Sequence, residues 1–75
     1  MTRHTLLIFE EIFHNTNSSD TYCTPGELET ITGIPVHEIR SGIEDLKEKG
    51  YIVENENGIQ ITGPGITEAR SRWID

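Results

Sequence analysis

Three polar side chains near the middle of the chain, His37, Arg40 and Ser41, have groups that could hydrogen-bond a nucleic acid. Residues three and four positions apart lie on the same side of an α-helix, so a helix through this segment presents the three together. A guanidinium can donate two hydrogen bonds to guanine, and imidazole and hydroxyl groups can bond base edges or phosphate oxygens. The predicted chemistry is therefore recognition by hydrogen bonds.

Each of these side chains also has a simpler interpretation. Arg40 could pair with Glu44, four residues later, as happens on most exposed helices, and His37 could be merely solvated. Farther along the same segment, Glu44, Asp45 and Glu48 would be repelled by phosphate wherever they approached it. The sequence thus predicts a helix face with a hydrogen-bonding first half and an acidic second half.

The charge of the chain argues against tight DNA binding by a single copy. The formal net charge is −7, from 13 acidic and 6 basic residues. Between Thr24 and Gly58 there are eight acidic residues and only three basic ones. Because neutralisation of phosphate supplies much of protein–DNA affinity, we expect any DNA binding by one copy to be weak.

Length and composition predict one globular domain, residues 1–75, because a chain this short cannot divide its core in two. Apolar residues are 33% of the chain and charged residues 25%, which favours a folded protein over a disordered one. No apolar run approaches the roughly 18 residues of a membrane span, and the N-terminal segment lacks the features of a signal peptide. A cytoplasmic protein is expected.

Nothing in the sequence predicts an enzyme, a cofactor or a metal site. Cys23 is the only cysteine, which excludes an internal disulfide, and it is expected to be a small buried residue. His4, His14 and His37 lie far apart and match no metal-ligand spacing. No nucleophile–base pair or glycine-rich phosphate loop is present, so we expect no catalysis and no bound cofactor.

The segment carrying His37 must be positioned by neighbouring helices, and the first of these is expected at about residues 5–14. Leu6, Phe9 and Phe13 recur with helical spacing, and Thr5 is a suitable N-cap. The short polar side chains from Asn15 to Asp20 hydrogen-bond their own backbone, which predicts a loop after this helix.

A second helix is expected at about residues 25–32. In the sequence TPGE, Thr24 and Glu27 can cap each other's backbone N–H, and Pro25 fills a position where a helix needs no N–H. Leu28 and Ile31 are expected to point inward, and Gly33 suits the left-handed conformation of a sharp turn.

The third helix is expected at about residues 36–49, where Ile39, Ile43 and Leu46 form its apolar side. A hairpin should follow at about residues 51–62, with positive φ angles at Asn57 and Gly58. Tyr22 and Cys23 could add a very short strand.

The end of the chain is expected to form a short helix at about residues 66–73, after Gly63-Pro64-Gly65 has ended the second strand. Trp73 and Ile74 are apolar anchors in this segment. They could pack onto the first helix or form a dimer contact, and the sequence leaves both open.

This order of elements resembles the winged helix-turn-helix superfamily over roughly residues 5–70. The resemblance is carried by Gly33 in the turn, by Ile34, Ile39 and Ile43 after it, and by "LKEKGYI" leading into the wing. Small prokaryotic regulators of the MarR, ArsR and PadR kinds end their recognition helix in a similar way. The expected fold is mainly α with a small β hairpin (α+β): a three-helix core plus a β wing.

The resemblance implies that the third helix enters the DNA major groove. The family's base-contacting positions fall on Pro35, Val36, His37, Arg40 and Ser41. Thr24 and Lys47 are expected near phosphate, although capping of the second helix explains Thr24 without any ligand. Asn55 and Asn57 could bond DNA from the wing, although formation of the turn also explains Asn57.

Two functions from different classes remain open. The first is a transcriptional regulator that binds double-stranded DNA. Many regulators that have this fold are homodimers built from their terminal helices, and the resemblance implies that this chain could be one. The second is an acidic winged-helix module that docks on a basic protein and binds no DNA. The spacing of residues favours the first, and the charge favours the second.

Overall fold

The computed structural model describes residues 1–16 and 21–73, which form four helices and one hairpin. The elements in chain order are α1 (Arg3–Thr16), α2 (Pro25–Thr32), α3 (Val36–Glu48), β1 (Ile52–Asn55), β2 (Gly58–Ile61) and α4 (Gly63–Trp73). The expected mainly-α fold with an antiparallel hairpin after the third helix is confirmed. Its order of elements is compatible with a winged-helix layout.

The core lies where α1, α3 and the hairpin meet. Ile8, Phe9 and Ile12 of α1 are completely buried, and Ile39 and Ile43 of α3 are buried against them. Burial of each such side chain is worth about 1.5–3 kcal/mol relative to exposure. This shared core holds α3 in place with its opposite side toward solvent.

Helix α1 begins and ends two residues beyond the expected range. The hydroxyl of Thr2, not of Thr5, caps the helix: it accepts a hydrogen bond from the Thr5 N–H at 3.1 Å. Thr5 is itself buried inside the first turn. At the other end the helix continues through Asn15 and Thr16, so the predicted loop does not begin at Asn15, and its residues 17–20 lie outside the described part.

The corner between α2 and α3 forms as expected, with one correction. Thr24 and Glu27 make the reciprocal capping box, and Gly33 adopts the left-handed conformation with φ 74°. Leu28 is buried, but the prediction that Ile31 points inward is wrong, because its exposure is 51%. Ile34, immediately after the corner, takes a core position instead, so the short α2 buries only one apolar side chain.

The hairpin pairs β1 with β2 through a two-residue turn, with Asn55 opposite Gly58. The Asn55 side chain accepts a hydrogen bond from the Asn57 N–H at 2.8 Å and so shapes this turn. Of Asn57 and Gly58, only Gly58 has a positive φ, 127°; the prediction of a positive φ at Asn57 is wrong. The expected short third strand is a single bridge, in which Cys23 and Ile59 exchange backbone hydrogen bonds of 2.9 and 2.7 Å.

Helix α4 begins at Gly63, three residues before the expected start, because Gly63-Pro64-Gly65 forms its first turn. The Thr62 hydroxyl accepts a hydrogen bond from the Gly65 N–H at 3.1 Å and caps that turn. At its other end, Trp73 packs edge-on against Phe9, with ring centroids 5.5 Å apart. Packing onto the first helix is therefore confirmed for Trp73; Ile74 lies outside the described residues.

Candidate nucleic-acid interface

The first half of α3 is exposed on the side away from the core. His37, Arg40 and Ser41 all lie at the surface, as do Pro35 and Val36 just before them. Ile39 and Ile43, on the other side of the same turns, are completely buried. All five base-contacting positions implied by the resemblance are therefore accessible, and the three hydrogen-bonding ones lie on one side of the helix.

Arg40 is held by a carboxylate of the hairpin. Its Nη1 and Nη2 donate hydrogen bonds to the two oxygens of Glu54 at 2.8 and 3.3 Å. Glu44, the partner expected from the helical spacing, lies farther away, 3.8 Å from Nη2. The main partner of Arg40 thus comes from β1, and it occupies the terminal nitrogens that could otherwise donate to a base.

Lys47 joins the same group of charges. Its Nζ lies 3.0 Å from a Glu44 oxygen and 3.3 Å from a Glu54 oxygen. We refer to Arg40, Glu44, Lys47 and Glu54 as the charge cluster. Because it contains two cations and two carboxylates, it has no net formal charge, and it presents no free positive charge to a phosphate.

The hydrogen bonds of the charge cluster shift the pKa values of Arg40, Lys47 and Glu54. The hydrogen bond from Arg40 lowers the pKa of Glu54 below its usual value, although partial burial acts in the opposite direction. Glu54 in turn raises the pKa of Arg40, and hydrogen bonds to Glu44 and Glu54 raise that of Lys47. Arg40, Lys47 and Glu54 are therefore charged at neutral pH.

The N-termini of α2 and α3, which could attract phosphate, are also occupied by glutamates of the chain. The Thr24 N–H donates to Glu27 at 3.1 Å, and the Glu27 N–H donates to the Thr24 hydroxyl at 3.2 Å. The Val36 N–H donates to a Glu29 carboxylate oxygen at 3.1 Å. A carboxylate thus already sits at both positive helix ends.

The tip of the hairpin, which corresponds to the expected wing, is polar and carries no basic residue. Asn55, Glu56 and Asn57 are exposed, and the segment from Ile52 to Ile61 contains neither Lys nor Arg. The Asn55 side-chain oxygen is engaged in the turn. The side-chain amides of Asn55 and Asn57 are exposed donors at this tip that could approach a DNA backbone.

The structure brings some of the predicted site residues together and leaves others apart. Arg40 and Lys47 share Glu54, whereas Thr24 is engaged in the capping box of α2. The sequence interpretation missed the role of Glu54. The only indication in the sequence was the alternation of side chains along β1, which places Glu54 on the same side as buried Ile52. The pairing of Glu54 with Arg40 depends on how the hairpin packs against α3, which the sequence did not give.

Residues 1–16 and 21–73 contain no group of three or more His, Cys, Asp or Glu side chains placed to hold a metal ion. Within the same residues, no helix has the length and apolar character needed to cross a membrane. Comparisons with protein-family models, with curated proteins and with solved structures found no match to this chain.

Proposed function

We propose that this chain is a winged-helix DNA-binding protein, a transcriptional regulator that inserts α3 into the major groove. The observation that carries the proposal is the exposed first half of α3, where His37, Arg40 and Ser41 face solvent together. The Arg40 side chain is 45% exposed, so it can reach a partner without unfolding of the core. The buried apolar side of α3 holds the helix against the core, so its exposed side is free to enter a DNA major groove, which is about 12 Å wide.

To contact a guanine, Arg40 must break at least one of its two hydrogen bonds to Glu54. An ion pair near the surface contributes about 0–1 kcal/mol, because both groups are well solvated when they separate. A two-point contact of arginine with guanine contributes about 1–3 kcal/mol of discrimination against other bases. The exchange is therefore favourable at a matching base pair and nearly neutral elsewhere.

Lys47, Thr24, Asn55 and Asn57 are proposed as backbone contacts with weaker contributions. Lys47 would exchange a carboxylate for a phosphate, and the partial exposure of its side chain, 35%, permits that exchange. Thr24 is already used in capping, and the two asparagines carry no charge. The proposed affinity of one copy is therefore at the weak end of the usual non-specific range, about 10⁻⁴ M at physiological salt.

A titration of labelled random duplex DNA, followed by fluorescence anisotropy at about 50 mM salt, tests the proposal. We expect binding at tens of micromolar that weakens as salt is added. Arg40→Ala should weaken it by about fivefold, because it removes a cation from this face and leaves the Glu54 carboxylate without its main partner where phosphate would approach. Arg72→Ala is the matched control, because Arg72 pairs with Glu68 at 2.8 Å on α4, outside the proposed interface. Absence of binding up to about 100 μM would defeat the proposal.

A second function is favoured because the two cations on the exposed side of α3, Arg40 and Lys47, already pair with carboxylates of the chain. We infer as the alternative an acidic module whose α3 and wing dock on a basic protein, since Glu48 and Glu56 are exposed and make no ion pair within the described residues. A basic partner that the chain captures in stoichiometric amount from nuclease-treated lysate should be lost with the double variant Glu48→Lys/Glu56→Lys. Retention of that partner by the variant, or competition by duplex DNA for the surface, would count against this alternative.

A further inference from the structure

The start of α1 and one flank of α3 border an open cleft that contains no member of the charge cluster. Its charged or titratable side chains are Arg3, His4, Glu38, Asp45 and Lys49. Steps of 100° per residue around α3 place Glu38 and Asp45 about 160° away from Arg40 and Lys47, respectively. The cleft and the charge cluster therefore lie on opposite flanks of α3, one facing α1 and the other facing the hairpin.

The two helices lie close together at this cleft because Gly42 has no side chain. A Cβ at Gly42 would lie 2.7 Å from the Cδ1 atom of Ile8 on α1. The neighbouring Ser41 is exposed and lines the cleft, and it also belongs to the candidate nucleic-acid interface. The cleft therefore opens directly beside the residues that we propose enter the major groove.

Both carboxylates of the cleft lie beside another side chain of the chain, whereas one of its cations has no partner. Asp45 accepts a hydrogen bond from Lys49 at 2.7 Å, and Glu38 lies 3.4 Å from Nδ1 of His4. The Arg3 side chain is exposed and makes no ion pair or hydrogen bond with residues 1–16 or 21–73. Arg3 is therefore available to an anion outside the chain.

A helix that lies in the major groove has a phosphate backbone along each of its flanks. The groove is about 12 Å wide and an α-helix with its side chains is about 10–12 Å across, so groups on both flanks approach phosphate oxygens. On the flank that faces the hairpin, Arg40 and Lys47 are already paired with carboxylates. On the flank that faces α1, Arg3 is unpaired.

We propose that Arg3 binds a phosphate of the DNA backbone along the flank of α3 that faces α1. The inference rests on the proposed function and adds to it a cation that lies outside α3 and the hairpin. This contact breaks no ion pair within the described residues, whereas Arg40 and Lys47 must exchange a carboxylate for DNA. Arg3 positions the protein on the duplex and does not read its sequence, because contacts to phosphate carry no direct sequence information.

Anisotropy titrations of random duplex DNA with the whole chain, at several salt concentrations from about 25 to 150 mM, test the proposal. Arg3→Gln should weaken binding by about three- to tenfold at the lowest salt concentration. It should also reduce the slope of log K against log salt concentration by about 0.9, the value for one lost phosphate contact. Arg3→Lys should keep the slope of the wild type, because an ammonium group also binds phosphate.

Arg70→Gln is the matched control, because Arg70 is also an exposed arginine without an ion pair in the described residues, and it lies on α4 outside the cleft. It should leave the affinity and the slope nearly unchanged, and circular dichroism verifies that each variant is folded. A wild type that binds DNA while Arg3→Gln keeps its affinity and slope would overturn the inference and leave the proposed function standing. Equal losses for Arg3→Gln and Arg70→Gln would do the same. A wild type that binds no duplex DNA would defeat the proposed function and this inference with it.

Discussion

Arg40 of α3 and Glu54 of β1, fourteen residues apart in the chain, form an ion pair with two hydrogen bonds, of 2.8 and 3.3 Å. The carboxylate binds the terminal nitrogens of the arginine that we propose contacts a base. It also accepts a hydrogen bond from Lys47 at 3.3 Å. Glu54 therefore neutralises part of the positive charge of both Arg40 and Lys47 on the exposed side of α3. An anion that binds these two cations must compete with the Glu54 carboxylate.

Removal of the Glu54 charge should strengthen DNA binding. Glu54→Gln frees Arg40 and Lys47 from one carboxylate and removes a negative charge that would face phosphate. We expect an affinity gain of about three- to tenfold at low salt, in line with the worth of an exposed ion pair. The measurement is an anisotropy titration of duplex DNA with the wild type and the variant.

Glu68→Gln is the matched control for this substitution, because it breaks the 2.8 Å pair with Arg72 on α4 and changes the net charge equally. It should leave the affinity nearly unchanged. Equal gains for the two variants would mean that net charge alone acts, and would remove Glu54 from the account.

The Glu54 carboxylate should also make the stability of the fold depend on pH in the acid range. Its pKa in the folded protein is lowered from the ordinary value of 4.5, mainly by the hydrogen bond from Arg40. A group with a lowered folded pKa stabilises the protein above its unfolded pKa, and that contribution is lost as pH falls through the folded pKa. Urea unfolding should show that Glu54→Gln is less stable than the wild type at about pH 7, by less than about 1 kcal/mol because the partners are solvated.

The stability difference between these two proteins should be smaller at an acid pH, below the lowered pKa of Glu54, than at about pH 7, because the wild-type carboxylate is then protonated. Circular dichroism can follow both unfolding curves at each pH. A difference of the same size at both pH values would show that the substitution acts through packing and not through the charge of Glu54.

The Cys23 thiol should be unreactive in the folded protein. Its exposure is 3%, and burial, helped by the nearby Glu27 charge, raises its pKa to about 11. Only the thiolate reacts with alkylating agents, and it is scarce at about pH 8 in such a site. Mass spectrometry after treatment with iodoacetamide should show slow modification of the native chain and rapid modification in urea. Modification at the rate of a free thiol without denaturant would contradict the buried position.

Gly65 should be intolerant of any side chain. A Cβ at this position would overlap the carbonyl oxygen of Tyr51 and lie 2.7 Å from a side-chain carbon of Ile61. We expect Gly65→Ala to destabilise the fold by about 3 kcal/mol, because backbone atoms must move to accommodate the methyl group. Gly63→Ala, two residues earlier in α4, meets no atom within 4 Å and should change the stability little. Similar unfolding midpoints for the two variants would show that α4 does not pack closely on the hairpin.

Much of the fold could be predicted because its signals are local. The capping box of Thr24 and Glu27 and the left-handed corner at Gly33 both depend on residues within a few positions of each other. The prediction for Ile31 was wrong because the position of this side chain depends on tertiary packing and not on a local signal. Its apolar character and helical spacing favoured an inward position, but only the packing of α2 against its neighbours decides that Ile34 fills that place.

The site was less predictable than the fold. The exposure of His37 and Arg40 followed from helical geometry once Ile39 was placed inside. Helical spacing offered Glu44 as the partner of Arg40, yet the shorter bonds go to Glu54. That pair depends on the register of the hairpin against α3, a tertiary relationship without a local signal in the sequence.

Chemical-shift mapping of the isotope-labelled chain with duplex DNA tests the proposed interface most directly. At low salt we predict that the backbone amides of His37, Arg40 and Ser41 and the side-chain N–H of Arg40 shift progressively as DNA is added. The amides of exposed α1 residues such as Leu7, which is 41% exposed, should not shift. An absence of shifts up to about 100 μM DNA, or shifts confined to residues outside α3 and the wing, would contradict the proposed function.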